Sequence, residues 1–129
     1  MKKCLIVDDS REDRQIAANY LEGLGFVTRQ AGDGDEALTM CRQDMPDFIL
    51  VDDIMPRVDG LEFLKRLHRT RGGKRPVVLF CSGHGDTAAL GTAIWEGAAE
   101  CLIKPFDADL LRFKLHQIGV IPERACVPA

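Results

Sequence analysis

No apolar stretch of the 129-residue sequence approaches the roughly 18 residues that a membrane span requires. No C-x-x-C pair occurs among its five cysteines, Cys4, Cys41, Cys81, Cys101 and Cys126. The odd count does not suit a disulfide framework, so reduced, buried thiols are expected. Neither sign of charge dominates: the net charge is −3, and no global basic field draws the chain to nucleic acid or anionic membrane. A signal peptide is not expected either, because Asp8 and Asp9 cut short the apolar run at residues 4–7. The ending Cys126-Val-Pro-Ala has the length of a prenylation box, but its proline makes coincidence the better reading. A soluble, cytoplasmic protein is the expectation.

What is present is an alternation. Apolar runs of strand length lie at residues 4–7, 26–30, 48–51, 77–81 and 101–103. Most are continuously apolar, as expected of parallel strands covered on both faces; the second is mixed and suits an edge. Five helical patterns separate or follow them. Ser10, Asp33, Asp59, Asp86 and Asp107 stand as opening residues, three of them with an acid three positions on. The expected inward faces are Ile16, Ala17, Tyr20, Leu21 and Leu24 in the first helix and Leu61, Leu64 and Leu67 in the third. In the fourth they are Leu90, Ala93 and Ile94, and in the fifth Leu110, Leu111, Leu115 and Ile118. Five βα repeats predict an α/β fold around one parallel sheet. Residues 1–119 are expected to form this domain and residues 120–129 a short tail without an output domain.

All strands of a parallel sheet end at one rim, where ligands of open α/β sheets bind. Asp8 and Asp9 follow the first run, Asp52 and Asp53 the third, Ser82 the fourth and Lys104 the fifth. Clustered carboxylates need a counter-charge, and hard oxygen ligands suit Mg²⁺. Lysine and hydroxyl would bind a second anion. Together these groups describe a site for a phosphoryl group carried on an aspartate. Because neighbouring residues of a strand face opposite ways, only one of Asp52 and Asp53 can be the acceptor.

The segments LIVDDS, DFILVDDIMPRVDG, CSGHGD and EGAAECLIKPF, with their spacing, resemble the receiver domain of bacterial two-component response regulators over residues 3 to 118. The resemblance implies a flavodoxin-like (βα)5 sheet of strand order 2-1-3-4-5. It selects Asp52 as phosphoacceptor, since Met55 and Pro56 follow it at the family spacing. It implies a Mg²⁺ site, with Mn²⁺ as a substitute ion, made by Asp8, Asp9, Asp52 and the Ile54 carbonyl. Ser82 and Lys104 would bind the phosphoryl group, and Pro105 would follow a cis bond. A sensor histidine kinase or histidine phosphotransfer protein would be the donor, and a downstream protein the target. The protein would act as a stand-alone receiver, monomeric or weakly dimeric, and not as an enzyme beyond its own phosphorylation and slow dephosphorylation.

Several positions depart from the family pattern. Cys101 stands where Tyr or Phe usually couples the site to the surface of helix four, strand five and helix five. Asp53 fills a position commonly apolar and should turn away from the metal rim, toward helix four. His84 follows Ser82 in a flexible loop and would limit water access. A degenerate receiver that binds partners without phosphorylation is therefore the alternative. A dehalogenase-type phosphatase would need an acid where Ile54 stands, and a flavin carrier would not place DDSREDR after its first strand. Trp95 falls off the apolar stripe of the fourth helix and, if exposed, would be a docking anchor. The basic run of residues 65–75 is read as a solvated helix end, since no aromatics interleave it.

Overall fold

In a computed structural model, which describes residues 2–83 and 87–121, strands β1 (Lys3–Val7), β2 (Val27–Ala31), β3 (Phe48–Asp52), β4 (Val77–Ser82) and β5 (Glu100–Ile103) form one parallel sheet. The order is β2-β1-β3-β4-β5. Helices α1 (Arg11–Gly23), α2 (Gly34–Gln43), α3 (Gly60–His68), α4 (Thr87–Trp95) and α5 (Ala108–Gln117) alternate with the strands. The mixed second strand lies at an edge, where only one side needs a partner.

Strand parity sorts the core into two layers. Leu5, Val7, Ile49, Val51, Val78 and Phe80 face α2, α3 and α4, meeting Ala37, Leu38, Phe63, Leu64, Leu67 and Ala93. Cys4, Ile6, Phe48, Leu50, Leu79, Cys81 and Leu102 face α1 and α5, meeting Ala17, Ala18, Leu21, Leu111 and Leu115. Side chains two apart share a face, so each strand feeds both layers. Val120 and Ile121 pack into the second layer after α5 ends.

The opening residues act as caps. Ser10 accepts from the Asp13 amide, Asp33 from Glu36, Asp59 from Glu62 and Asp107 from Leu110, at 2.8–3.2 Å. Each satisfies an amide that the helix leaves unpaired, a contribution of about 1 kcal/mol. Asp86, the expected cap of α4, lies outside the described residues, as do His84 and Cys126.

The buried faces are narrower than expected. Ile16, Ile94 and Leu110 are exposed rather than inward. The alanines explain this for two helices: Ala17 and Ala18 on α1, and Ala93 on α4, are the buried contacts. A helix seated on small side chains sits close to the sheet and leaves its flanking large residues outside. In α3, Phe63 takes the buried place expected of Leu61, which is only partly covered. Strands β3 and β4 run one residue further than their apolar runs, so Asp52 and Ser82 are themselves ladder residues.

Candidate functional site

The parity that sorts the core also sorts the rim. Asp52 continues the series Phe48, Leu50, and so points to the α1/α5 side; Asp8 continues Cys4, Ile6 to the same side. Lys104 continues from Leu102. Three elements thus deliver Asp8, Asp52 and Lys104 to one place. Asp53 and Ser82 have the opposite parity.

Contacts agree. Lys104 Nζ lies 2.6 Å from Asp8 Oδ2, 3.1 Å from Asp52 Oδ1 and 3.1 Å from Asp13 Oδ2. Carboxylate oxygens of Asp8, Asp9 and Asp52 lie within 4.8 Å of one another, with Asp8 and Asp52 buried and Asp9 exposed. Asp53 is outside this group; its Oδ1 accepts from the amide of the next residue, Ile54, at 2.8 Å. Ser82 is fully buried beside the rim. Its carbonyl accepts from the Lys104 amide at 2.8 Å, which ties the lysine to the β4 end. The Lys104–Pro105 bond is cis.

Two backbone devices hold the rim in shape. Arg14 Nη1 donates to the Asp8 carbonyl at 2.6 Å, and the Ser10 amide donates to Asp8 Oδ1 at 2.9 Å. On the other side Gly60 begins α3 hard against β3, its amide donating to the Asp53 carbonyl at 2.9 Å. Beside the carboxylates a cleft of about 520 Å³ opens toward Tyr20 and Phe106, whose rings are tilted with centroids 6.3 Å apart.

Electrostatics make the site demanding. Burial, then the neighbouring Asp8 charge, push the Asp52 carboxyl up to about 6, against the opposing pull of Lys104. Burial disfavours the Lys104 ammonium, but its hydrogen bond to Asp8 and the charges of Asp52 and Asp8 outweigh that and hold its pKa above the ordinary lysine value. One ammonium serves Asp8, Asp13 and Asp52, while Asp9 stands beside them. An excess of hard carboxylate oxygens suits a divalent cation such as Mg²⁺. Asp8, Asp9 and Asp52 could hold one, and the Ile54 carbonyl is the candidate fourth protein group.

Asp13 was not foreseen as a site residue. Its amide is the one capped by Ser10, and that role hid the other. The available signal was spacing, because Asp13 lies one helical turn after Asp9 and so returns to the rim. Cys101 is half-buried, with Sγ 3.7 Å from the Leu90 carbonyl of α4, and burial raises its thiol pKa. Cys4, Cys41 and Cys81 are buried free thiols. Trp95 is 87% exposed, as a docking anchor requires. Among the described residues no helix is long and apolar enough to cross a membrane.

The family model described as the response regulator receiver domain matches residues 4–116. Chemotaxis protein CheY-3 of Vibrio cholerae is 35% identical over 90% of this chain and 90% of its own length. The probable transcriptional regulator ycf27 of Guillardia theta is 31% identical over 91% of this chain but 45% of its own length. The chain thus spans about half of the ycf27 relatives it matches. Among solved structures, chemotaxis protein CheY4 of Vibrio cholerae superposes with a TM-score of 0.86 at 30% identity, covering 92% of this chain and 98% of that one. The receiver domain of NtrX from Brucella abortus gives 0.83 at 30% identity, covering 92% and 99%.

Proposed function

The chain belongs to the response regulator receiver domain family, whose members serve phosphoryl-accepting two-component signalling, and we propose that Asp52 is its phosphoacceptor. The observation that carries this reading is the meeting of Asp52 with Lys104 at 3.1 Å beside the Asp8/Asp9 pair. An Asp52 carboxylate oxygen attacks the phosphorus of a phosphohistidine. The new P–O bond forms as the P–N bond breaks, and the electron pair leaves with the imidazole.

Asp8, Asp9, Asp52 and the Ile54 carbonyl would hold Mg²⁺, which when bound neutralises charge on the carboxylates and the transferred group. Lys104 turns from Asp8 and Asp13 to the phosphoryl oxygens, and the Ser82 hydroxyl donates to another. The acyl phosphate shifts an equilibrium between two surface arrangements, and output is protein binding. The receiver boundary expected at residue 119 falls short by two residues, because Val120 and Ile121 pack into the second core layer. The donor would be a sensor histidine kinase or a histidine phosphotransfer protein in the cytoplasm.

Cys101 keeps the second reading in play, a receiver that binds partners without phosphorylation, because its thiol offers no ring to swing inward. Intact-mass measurement after incubation with phosphoramidate, with and without Mg²⁺, tests both readings. Gain of one phosphoryl group that needs Mg²⁺ and disappears in Asp52→Asn is expected. Gain unaffected by Asp52→Asn overturns the assignment, and no gain at all favours the second reading.

A further inference from the structure

The opposite end of the sheet carries a charged feature that phosphoryl chemistry does not use. Residues 65–75 include Lys65, Arg66, Arg69, Arg71, Lys74 and Arg75 and no acid. Arg66 is matched within the fold, by Glu62 at 2.9 Å and Asp35 at 3.7 Å. Arg69, Arg71, Lys74 and Arg75 are exposed and take part in no ion pair among the described residues. Favourable charge at a helix C-terminus accounts for Lys65, Arg66 and Arg69, in or next to the last turn of α3. It does not reach Arg71, Lys74 and Arg75.

The turn that displays them is tightly built. The Thr70 amide donates to the Leu67 carbonyl, the Gly73 amide to Thr70 and the Arg75 amide to Gly72, at 2.9–3.1 Å. A β-carbon at Gly73 would lie 1.8 Å from the Leu67 carbonyl oxygen, and Gly72 has a φ of +76°. The frame therefore tolerates few other residues, and the cations it carries are presented from a fixed loop, which lowers the ordering cost of binding.

The surroundings select the partner. No Phe, Tyr or Trp lies within 65–75 to stack a base, and a short turn does not enter a DNA groove as a helix or strand does. The turn exposes no large apolar side chain to enter a bilayer. The net charge of −3 opposes a long polyanion beyond the patch itself. What remains complementary is a short run of carboxylates, which Arg71 and Arg75 can bind in bidentate fashion and Lys74 as a point charge.

We infer that the α3–β4 turn is a docking site for an Asp/Glu-rich segment of a partner protein, independent of the phosphorylation state of Asp52. Strand β4 separates the turn from the rim, a length of roughly 17–20 Å for a strand of its size. A partner held at the turn and a phosphodonor at Asp52 can then be bound together. Such a tether raises the local concentration of whatever the partner carries.

Fluorescence anisotropy with a short fluorescein-labelled Asp/Glu peptide tests the assignment, with random-sequence duplex DNA and phosphatidylglycerol vesicles as comparison probes. The peptide is expected to bind about tenfold more weakly to the R71E/K74E/R75E variant, and also when NaCl rises from about 20 to about 150 mM. Arg42→Glu, an exposed charge change on α2, should leave binding unchanged. The R71Q/K74Q/R75Q variant repeats the test should the reversed charges impair folding, which circular dichroism reports. Saturating peptide should not slow phosphoramidate-driven mass gain at Asp52. Equal binding by the charge variants, tighter binding of DNA or vesicles than of peptide, or peptide that blocks phosphorylation would each overturn the inference.

Discussion

Gly60 stands so close to Asp52 that a β-carbon on it would lie 2.2 Å from the Asp52 carbonyl oxygen, with Asp53 Cα and the Phe80 ring each at 3.0 Å. The first two obstacles are backbone, which cannot move aside as a side chain can. Helix α3 therefore starts where it does only because residue 60 has no side chain, and its position braces the end of β3. Gly60→Ala should cost about 2–4 kcal/mol in urea denaturation and slow Asp52 phosphorylation in the fraction that folds. Unchanged stability would mean that α3 is free to retreat.

Asp52 itself should destabilise the metal-free fold at neutral pH. Its folded pKa, about 6, lies above the ordinary 3.8, so between those values the folded state binds more protons than the unfolded one. Stability from this group is fully present below pH 3.8 and is lost as pH rises through about 6. Asp52→Asn should then be more stable than the parent by about 1–2 kcal/mol at pH 8 without metal, a rise in Tm of about 4–8 °C. The gap should close on lowering the pH to about 4, where the parent carboxyl is protonated. Mg²⁺ at pH 8 should narrow it as well, by raising the parent Tm more than that of the variant. Thermal melts at the two pH values, with and without Mg²⁺, provide the check.

Lys104→Ala removes the one ammonium shared by Asp8, Asp13 and Asp52. Two of those carboxylates are buried, and leaving them unpaired should cost about 2 kcal/mol at pH 8. Less should be lost at about pH 5, where protonation of Asp52 relieves part of the repulsion. A loss independent of pH would show that the lysine matters through packing alone. Phosphorylation should slow sharply in the same variant.

Asp53→Asn should leave Mg²⁺-dependent phosphorylation of Asp52 intact, because an amide oxygen can still accept from Ile54. Stability should stay within about 0.5 kcal/mol of the parent. Asp53→Ala, which cannot accept that bond, should cost about 1 kcal/mol in urea denaturation. Loss of phosphorylation in Asp53→Asn, with Asp52→Asn tolerated, would reverse the roles of the two aspartates.

Much of this was legible in the sequence because it is local or periodic. Continuous apolar runs specify buried parallel strands, Ser or Asp before a helical stripe specifies a cap, and alternation of the two specifies the sheet. The choice of Asp52 over Asp53 rested on the family likeness, through the spacing to Met55 and Pro56. Alternation along β3 says only that the two point to opposite faces, and that Asp8, Asp52 and Lys104 share one face emerged with the register of the sheet. What the stripe alone misplaced were Ile16, Ile94 and Leu110, because helix periodicity gives the apolar face but not how closely the helix approaches the sheet. In α1 and α4 small alanines set that distance, and only packing reveals it.

The sequence by itself thus determined the elements, their caps and the set of chemical groups at the strand ends. The tertiary structure decided which of those groups meet: that Asp13 joins Lys104, that Asp53 stays outside the carboxylate cluster, and that Gly60 bears on the Asp52 backbone. It also separated Arg66, neutralised by Glu62 and Asp35, from the cations of the α3–β4 turn. Residue type and spacing are local properties, whereas a distance between a carboxylate and an ammonium 52 residues apart in the chain exists only once β3, β4 and β5 have set their register.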